Sequence, residues 1–156
     1  MPSRASIQML STTKYQLISR EVSRSSPAPP RKFYLLKVRT DSLAAQRADG
    51  TISFVADLLR RRARLEPANI ELNPLLKPFA DVWPQLVLED ELVKHCNGQT
   101  VSTRVVVPAP LREKVFRSLH ENAHHGYEAI IRRISQRFWW PCLRNDVCFR
   151  ESLRNL

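Results

Sequence analysis

Between Leu111 and Phe138 apolar residues recur every three or four positions, and the run is interrupted once, at Gly126. Leu111, Val115, Leu119 and Ala123 stand four apart, and Tyr127, Ile130, Ile131, Ile134 and Phe138 share one face of the next stretch. A stripe of this period has to be covered, so this part of the chain is expected to fold as two amphipathic helices packed through their apolar faces. Gly126 is expected to supply the left-handed residue that stops the first helix before the second begins. Arg112, Lys114, Arg117, Arg132, Arg133 and Arg137 fall largely off the stripes and give the pair a basic exterior on which phosphate can bind. Phe138 and Trp140 are assigned to the core rather than to nucleobase platforms, because burying a Phe-sized side chain yields about 1.5–3 kcal/mol.

Upstream the signals are mixed. Asp41 or Ser42 can cap a short helix through Ala48, and Ile52, Val55, Leu58 and Leu59 repeat at helical spacing after Gly50, which together suggest a broken helical pair. Arg60, Arg61, Arg62 and Arg64 close the second helix, where cations meet the negative end of its dipole and are solvated. Asn73 and Pro74 start a further apolar stripe through Leu75, Leu76, Phe79, Val82 and Trp83, with a kink expected at Pro78. From Leu86 the period shortens: Leu86–Leu88 and Leu92–Cys96 read as strands joined by a tight acidic turn. Asn97 and Gly98 predict a type I′ turn into a β-branched strand over Arg104–Val107, which Pro108 and Pro110 end. Phe33 to Val38 is a candidate short strand, and Ser23–Lys32 reads as linker or disordered tail because its Ser and Pro content offers no apolar face.

The formal charge of +10 over 156 residues favours a polyanionic partner, with solubility as the plainer explanation. It is concentrated at the ends, since residues 41–110 hold eight basic against nine acidic groups. No run approaches the roughly 18 apolar residues of a membrane span, and the N-terminus lacks the apolar core of a secretory signal, so an intracellular chain, cytoplasmic or nuclear, is expected. Cys96, Cys142 and Cys148 are an odd set, better suited to free or metal-bound thiols than to a disulfide framework.

His120, His124 and His125 lie at the junction of the two expected helices. His120 and His124 are four apart, which stacks both imidazoles on one helical face within reach of a single ion. Two donors do not make a tetrahedral zinc site, and paired histidines are also common as ordinary polar surface. The same five residues, HENAH, match the pattern of zinc hydrolases in which Glu121 would deprotonate the attacking water. Against that reading, Gly126 ends the helix almost at once, and only Glu128 or Glu151 remains as a third ligand.

The stretch from Val105 to Val147, VVVPAPLREKVFRSLHENAHHGYEAIIRRISQRFWWPCLRNDV, resembles the zinc-binding module at the N-terminus of integrases in long-terminal-repeat retrotransposons and retroviruses. Five pieces carry the likeness in order: the VVP strand end, LRE opening a helix, LH ending it, a His-x-Gly turn, and FWWP followed by L, R and DV. Residues 41–104, with LAAQRAD and WPQLVLEDELV, resemble the segment preceding this module in retrotransposon polyproteins. The resemblance implies that His120 and His124 join a later Cys-x-x-Cys around one zinc ion. Its spacing puts the first Cys at Arg154 and the second beyond Leu156, so an incomplete site is expected, with zinc binding weak or absent. Cys142 and Cys148 would not replace that pair, because six helical residues turn them about 240° apart.

These readings define a mainly α fold with a small antiparallel β-hairpin or meander: a helical module like the integrase N-terminal domain, preceded by a disordered basic tail. Three parts are expected, residues 1–40 as the tail, 41–84 as a helical pre-integrase segment, and 85–156 as hairpin plus incomplete zinc-binding-like domain. The implied function is non-catalytic, a polyprotein fragment supporting integrase assembly and DNA binding, without the integrase catalytic core. DNA would meet Arg112, Arg117, Arg132, Arg133 and Arg137, and self-association is a further expected partnership. A zinc hydrolase acting through Glu121 and a helical protein-interaction domain stand as the alternatives.

Overall fold

The computed structural model describes residues 31–98, 102–120, 126–154 and 156, with side chains described for these except residues 31–39 and His120. The chain divides into two units, residues 1–36 and 37–156, and every element after the first helix belongs to the second unit. In chain order the helices are α1 Arg31–Ala48, α2 Gly50–Arg60, α3 Pro67–Leu72, α4 Lys77–Asp81, α5 Ala109–His120, α6 Tyr127–Ser135 and α7 Leu143–Arg154. The strands are β1 Leu86–Glu89, β2 Leu92–Cys96, β3 Thr103–Val106 and β4 Phe138–Trp139. The fold is therefore mainly helical with one small sheet.

The break between α1 and α2 falls where the sequence placed it. Asp49 is extended (φ −83°, ψ 112°), and its carboxylate accepts from the N–H groups of Thr51 at 3.0 Å and Ile52 at 2.9 Å, capping α2. Ile52 and Val55 are buried as expected. At the far end Arg62 N–H bonds to Leu59 O and Ala63 N–H to Leu58 O, the paired closure usually built around glycine, with Arg62 itself at φ 55°. The strand expected over Phe33–Val38 is instead part of α1, which begins ten residues before Asp41. That strand had no neighbour in sequence to pair with, and a lone strand is unstable.

The stripe from Leu75 to Trp83 is not one kinked helix. A 3₁₀ turn Pro74–Leu76, α4 and a second 3₁₀ turn Trp83–Gln85 succeed one another. Proline enters each at its first or second position, where its missing N–H costs nothing, so Pro78 starts a helix rather than bending one. Leu76 and Phe79 are buried, whereas Leu75 is 69% exposed and leaves the expected stripe.

The sheet runs β1-β2-β3-β4, antiparallel for the first two pairs and parallel for β3 with β4. Asp90 (φ 52°) and Glu91 (φ 64°) form a two-residue turn between the paired Glu89 and Leu92, with the two positive φ angles of type I′. The second hairpin exists, pairing Cys96 with Thr103, but residues 97–102 connect it, and neither Asn97 nor Gly98 has positive φ. The type I′ turn predicted at Asn97-Gly98 is thus found one hairpin earlier: Cys96 pairs with Thr103, so this connection is not a two-residue one.

Phe138 does not extend the stripe of α6. It opens β4, which docks beside β3 through Val105 N–H to Arg137 O at 2.8 Å and Val107 N–H to Trp139 O at 2.9 Å. Side chains of these two segments alternate between two cores, as strand geometry requires. Val107, Phe138 and Trp140 join Val115, Phe116, Ile130, Ile131, Ile134 and Val147 in one, with Val105 packed against it. Val106 joins Ile52, Val55, Leu76, Phe79, Leu86 and Val93 in the other, with Trp139 packed against that side. Gly126 has φ −59°, not a left-handed value, and stands as the N-terminal flanking residue of α6.

Candidate metal and nucleic-acid surfaces

Helices α5, α6 and α7 enclose the core around Trp140, which is 1% exposed. Its indole N–H donates to Asp146 Oδ2 at 3.1 Å, and Asp146 Oδ1 accepts from Arg150 Nε at 3.2 Å. Arg150 also pairs with Glu113, which accepts from Arg117 Nε at 2.6 Å. Arg117, helped by Arg150, holds the Glu113 carboxyl below its ordinary range. This chain of polar contacts ties α7 to α5. It explains the DV pair near the end of the resemblance: Asp146 satisfies the buried indole, and Val147, fully buried, packs in the same core.

The arginines expected to face phosphate are not equivalent. Arg112 is half-buried, lies 5.9 Å from the centroid of the Trp140 ring, and donates to Val107 O at 3.4 Å. Burial lowers its pKa from the ordinary value, and it belongs to the packing of the core rather than to the exterior predicted for it. Arg117 is exposed but engaged by Glu113. Arg132, Arg133 and Arg137 lie off the face of the buried Ile130, Ile131 and Ile134, with Arg133 half-buried and the other two exposed. None of the three forms an ion pair among the described residues, whereas Arg144 is held by Glu128 at 2.5 Å.

His120 ends α5, and its side chain is not among those described, while Glu121, His124 and His125 fall in the undescribed residues 121–125. The imidazoles of the expected zinc ligand pair and the hydrolase glutamate therefore lie outside the described side chains. Cys142 (φ 57°) sits just before α7 and Cys148 within it, and both thiols are exposed. Among the described residues no group of three or more His, Cys, Asp or Glu could hold a metal ion.

Residues 107–149 match the integrase zinc binding domain family. The matched stretch takes in α5, α6, β4 and the first half of α7, the elements around the Trp140 core. The match is to the zinc-binding domain and not to a catalytic core. The family that this stretch matches is described as zinc binding. The chain is also similar to the Pro-Pol polyprotein of Simian foamy virus type 1, 43% identical over 56 residues, which is 36% of this chain and 4% of that protein. The Pro-Pol polyprotein of Simian foamy virus type 3 (strain LK3) is 34% identical over 89 residues, 51% of this chain and 8% of the relative. That of Feline foamy virus is 32% identical over 44 residues, 28% of this chain and 4% of the relative. The matches span less than a tenth of those polyproteins. The half of this chain aligned with the strain LK3 protein exceeds the zinc-binding stretch, so the likeness extends beyond the Trp140 core. No described helix is long and apolar enough to cross a membrane.

Sequence reasoning missed three structural polar groups. Gln46 is 3% exposed and bonds to β2 and β3, His95 is 3% exposed and stacks on Trp139, and Asp146 holds Trp140. The run FWWP was a usable signal for Asp146, since a buried indole needs an acceptor nearby. Gln46 and His95 carried none, because their partners are distant in sequence.

Proposed function

We propose that the chain is a non-catalytic module of an integrase-type polyprotein, which helps an integrase assemble on DNA ends and contributes duplex contacts of its own. The observation that carries the DNA part is the set of the exposed Arg132 and Arg137 and the half-buried Arg133, on and just after α6, without acidic partners among the described residues. Guanidinium groups without carboxylate partners are free to replace the counterions of a phosphate backbone. Arg117 can join them only by leaving Glu113. Arg112, although counted with them from sequence, is committed to Trp140. Titration of duplex DNA at two salt concentrations tests this. Binding should weaken steeply with salt, and the Arg132→Gln, Arg133→Gln, Arg137→Gln triple variant should lower the logarithmic salt slope by about 3, close to 0.9 per lost phosphate contact. No binding at low salt would overturn it.

A second reading, a helical interaction domain, is favoured by Phe149 and Leu153 on α7. They are 63% and 55% exposed and stand four residues apart, on the same helix as the buried Val147. Sedimentation with and without DNA separates the readings: self-association that DNA does not alter, lost in Phe149→Ser, supports the interaction surface over the nucleic-acid one.

A further inference from the structure

The arginine run at the end of α2 does more than solvate a helix terminus. Arg60 is held by Asp57 at 2.6 Å and Glu91 at 2.7 Å, but Arg62 and Arg64 are exposed and form no ion pair among the described residues. Arg62 occupies the left-handed position of the helix closure, at φ 55°, where a β-carbon is strained and glycine is favoured. Arg62 and Arg64 line an open groove of about 650 Å³ with the half-buried Trp83, over Leu59, Ala80 and Leu86. The volume lies within the range of small-ligand clefts, about 300–1,000 Å³.

We infer that this groove binds single-stranded nucleic acid, with a base stacked on Trp83 and the adjoining phosphates on Arg62 and Arg64. An indole beside two unpaired guanidinium groups combines the two contacts by which sequence-tolerant single-strand sites work. A duplex keeps its bases stacked on one another and offers none to Trp83. An acidic peptide would satisfy the arginines but leave the indole without a planar partner. The groove lies outside residues 107–149 and does not depend on the arginines of α6.

The test is fluorescence anisotropy of the full chain with labelled dT12 and with a 12-base-pair duplex. Trp83→Leu should weaken dT12 binding about tenfold, in line with the usual effect of removing one stacking side chain, and leave duplex binding within about twofold. Because Trp83 also packs against the core, Arg62→Gly is the companion variant: it relieves the left-handed strain, so its melting temperature should rise while dT12 affinity falls and the salt slope drops by about 0.7. In the background of the α6 triple variant, Trp83→Leu should still weaken dT12 binding about tenfold, so loss of the duplex reading would not remove this one. The inference is overturned if both groove variants bind dT12 as the parent chain does, if dT12 and duplex affinities fall in equal proportion, or if polyglutamate displaces the label as well as unlabelled dT12.

Discussion

The side-chain amide of Gln46 on α1 bonds to both the N–H and the C=O of Val93 on β2. Its Oε1 accepts from Val93 N–H at 2.8 Å, and its Nε2 donates to Val93 O at 3.0 Å and to Val106 O at 2.7 Å. The β2-β3 ladder pairs Lys94 with Val105, so Val93 and Val106 are the next positions along it. A glutamine takes the place of the missing strand contact and fastens α1 to the sheet.

Gln46→Leu keeps the bulk but strands an N–H and two carbonyls inside the protein. A loss of about 2–4 kcal/mol is expected, because each unmet buried group costs roughly 1–3 kcal/mol and the losses overlap. The urea midpoint measures it, and a change below about 1 kcal/mol would show that the sheet closes without this amide.

His95 makes stability depend on pH. Its ring stacks on Trp139 at 4.8 Å, and its Nδ1 lies 2.9 Å from Arg104 Nη2, which can only donate, so the neutral tautomer carries its proton on Nε2. Burial first, and the Arg104 charge second, lower its pKa below the ordinary 6.5. The unfolded chain therefore binds the proton more readily, and the contribution of His95 is present above about pH 6.5 and is lost as pH falls toward the depressed folded value. Urea midpoints measured from pH 8 to 5 should fall, and His95→Gln should flatten that slope. The carboxylates Glu89 and Glu113, whose pKa values are lowered, act only at more acid pH.

Arg112 and the α6 arginines should separate in their effects. Arg112→Gln is expected to cost about 1–2 kcal/mol, from the cation–π contact with Trp140 and a hydrogen bond, and to leave the salt slope of DNA binding unchanged. A variant of full stability with weakened DNA binding would return Arg112 to the exterior.

Chelation provides a further check. Two apolar clusters hold the described fold together, and a mild chelator is expected to remove zinc without moving the urea midpoint. Stoichiometric zinc retained by the purified chain, or a midpoint that falls on chelation, would show that histidines and sulfur donors do meet.

Much of the architecture was legible because it rests on local rules. The 3.6-residue stripes of α5 and α6, the break between α1 and α2, the strands around Leu86–Cys96 and the prolines that end β3 are decided by nearest neighbours in the chain. The candidate zinc pair was legible only as a spacing, four residues apart, and its geometry lies outside the described residues. What sequence reasoning mistook involved choices that neighbours do not make. Phe138 fits the helical period, yet it pairs with Val105, 33 positions earlier, because β3 offers an open edge.

The amino-acid sequence by itself determined the apolar faces of α5 and α6, the break between α1 and α2, and that the chain is basic. Only the tertiary structure decided that Val106 and Val107, adjacent in the chain, serve different cores, that Arg112 packs on Trp140 while Arg132 stays in solvent, and that Gln46 completes the sheet. Periodicity is a property of neighbouring residues, whereas burial and polar satisfaction depend on groups brought together from distant positions, and those partners exist only once the chain has folded.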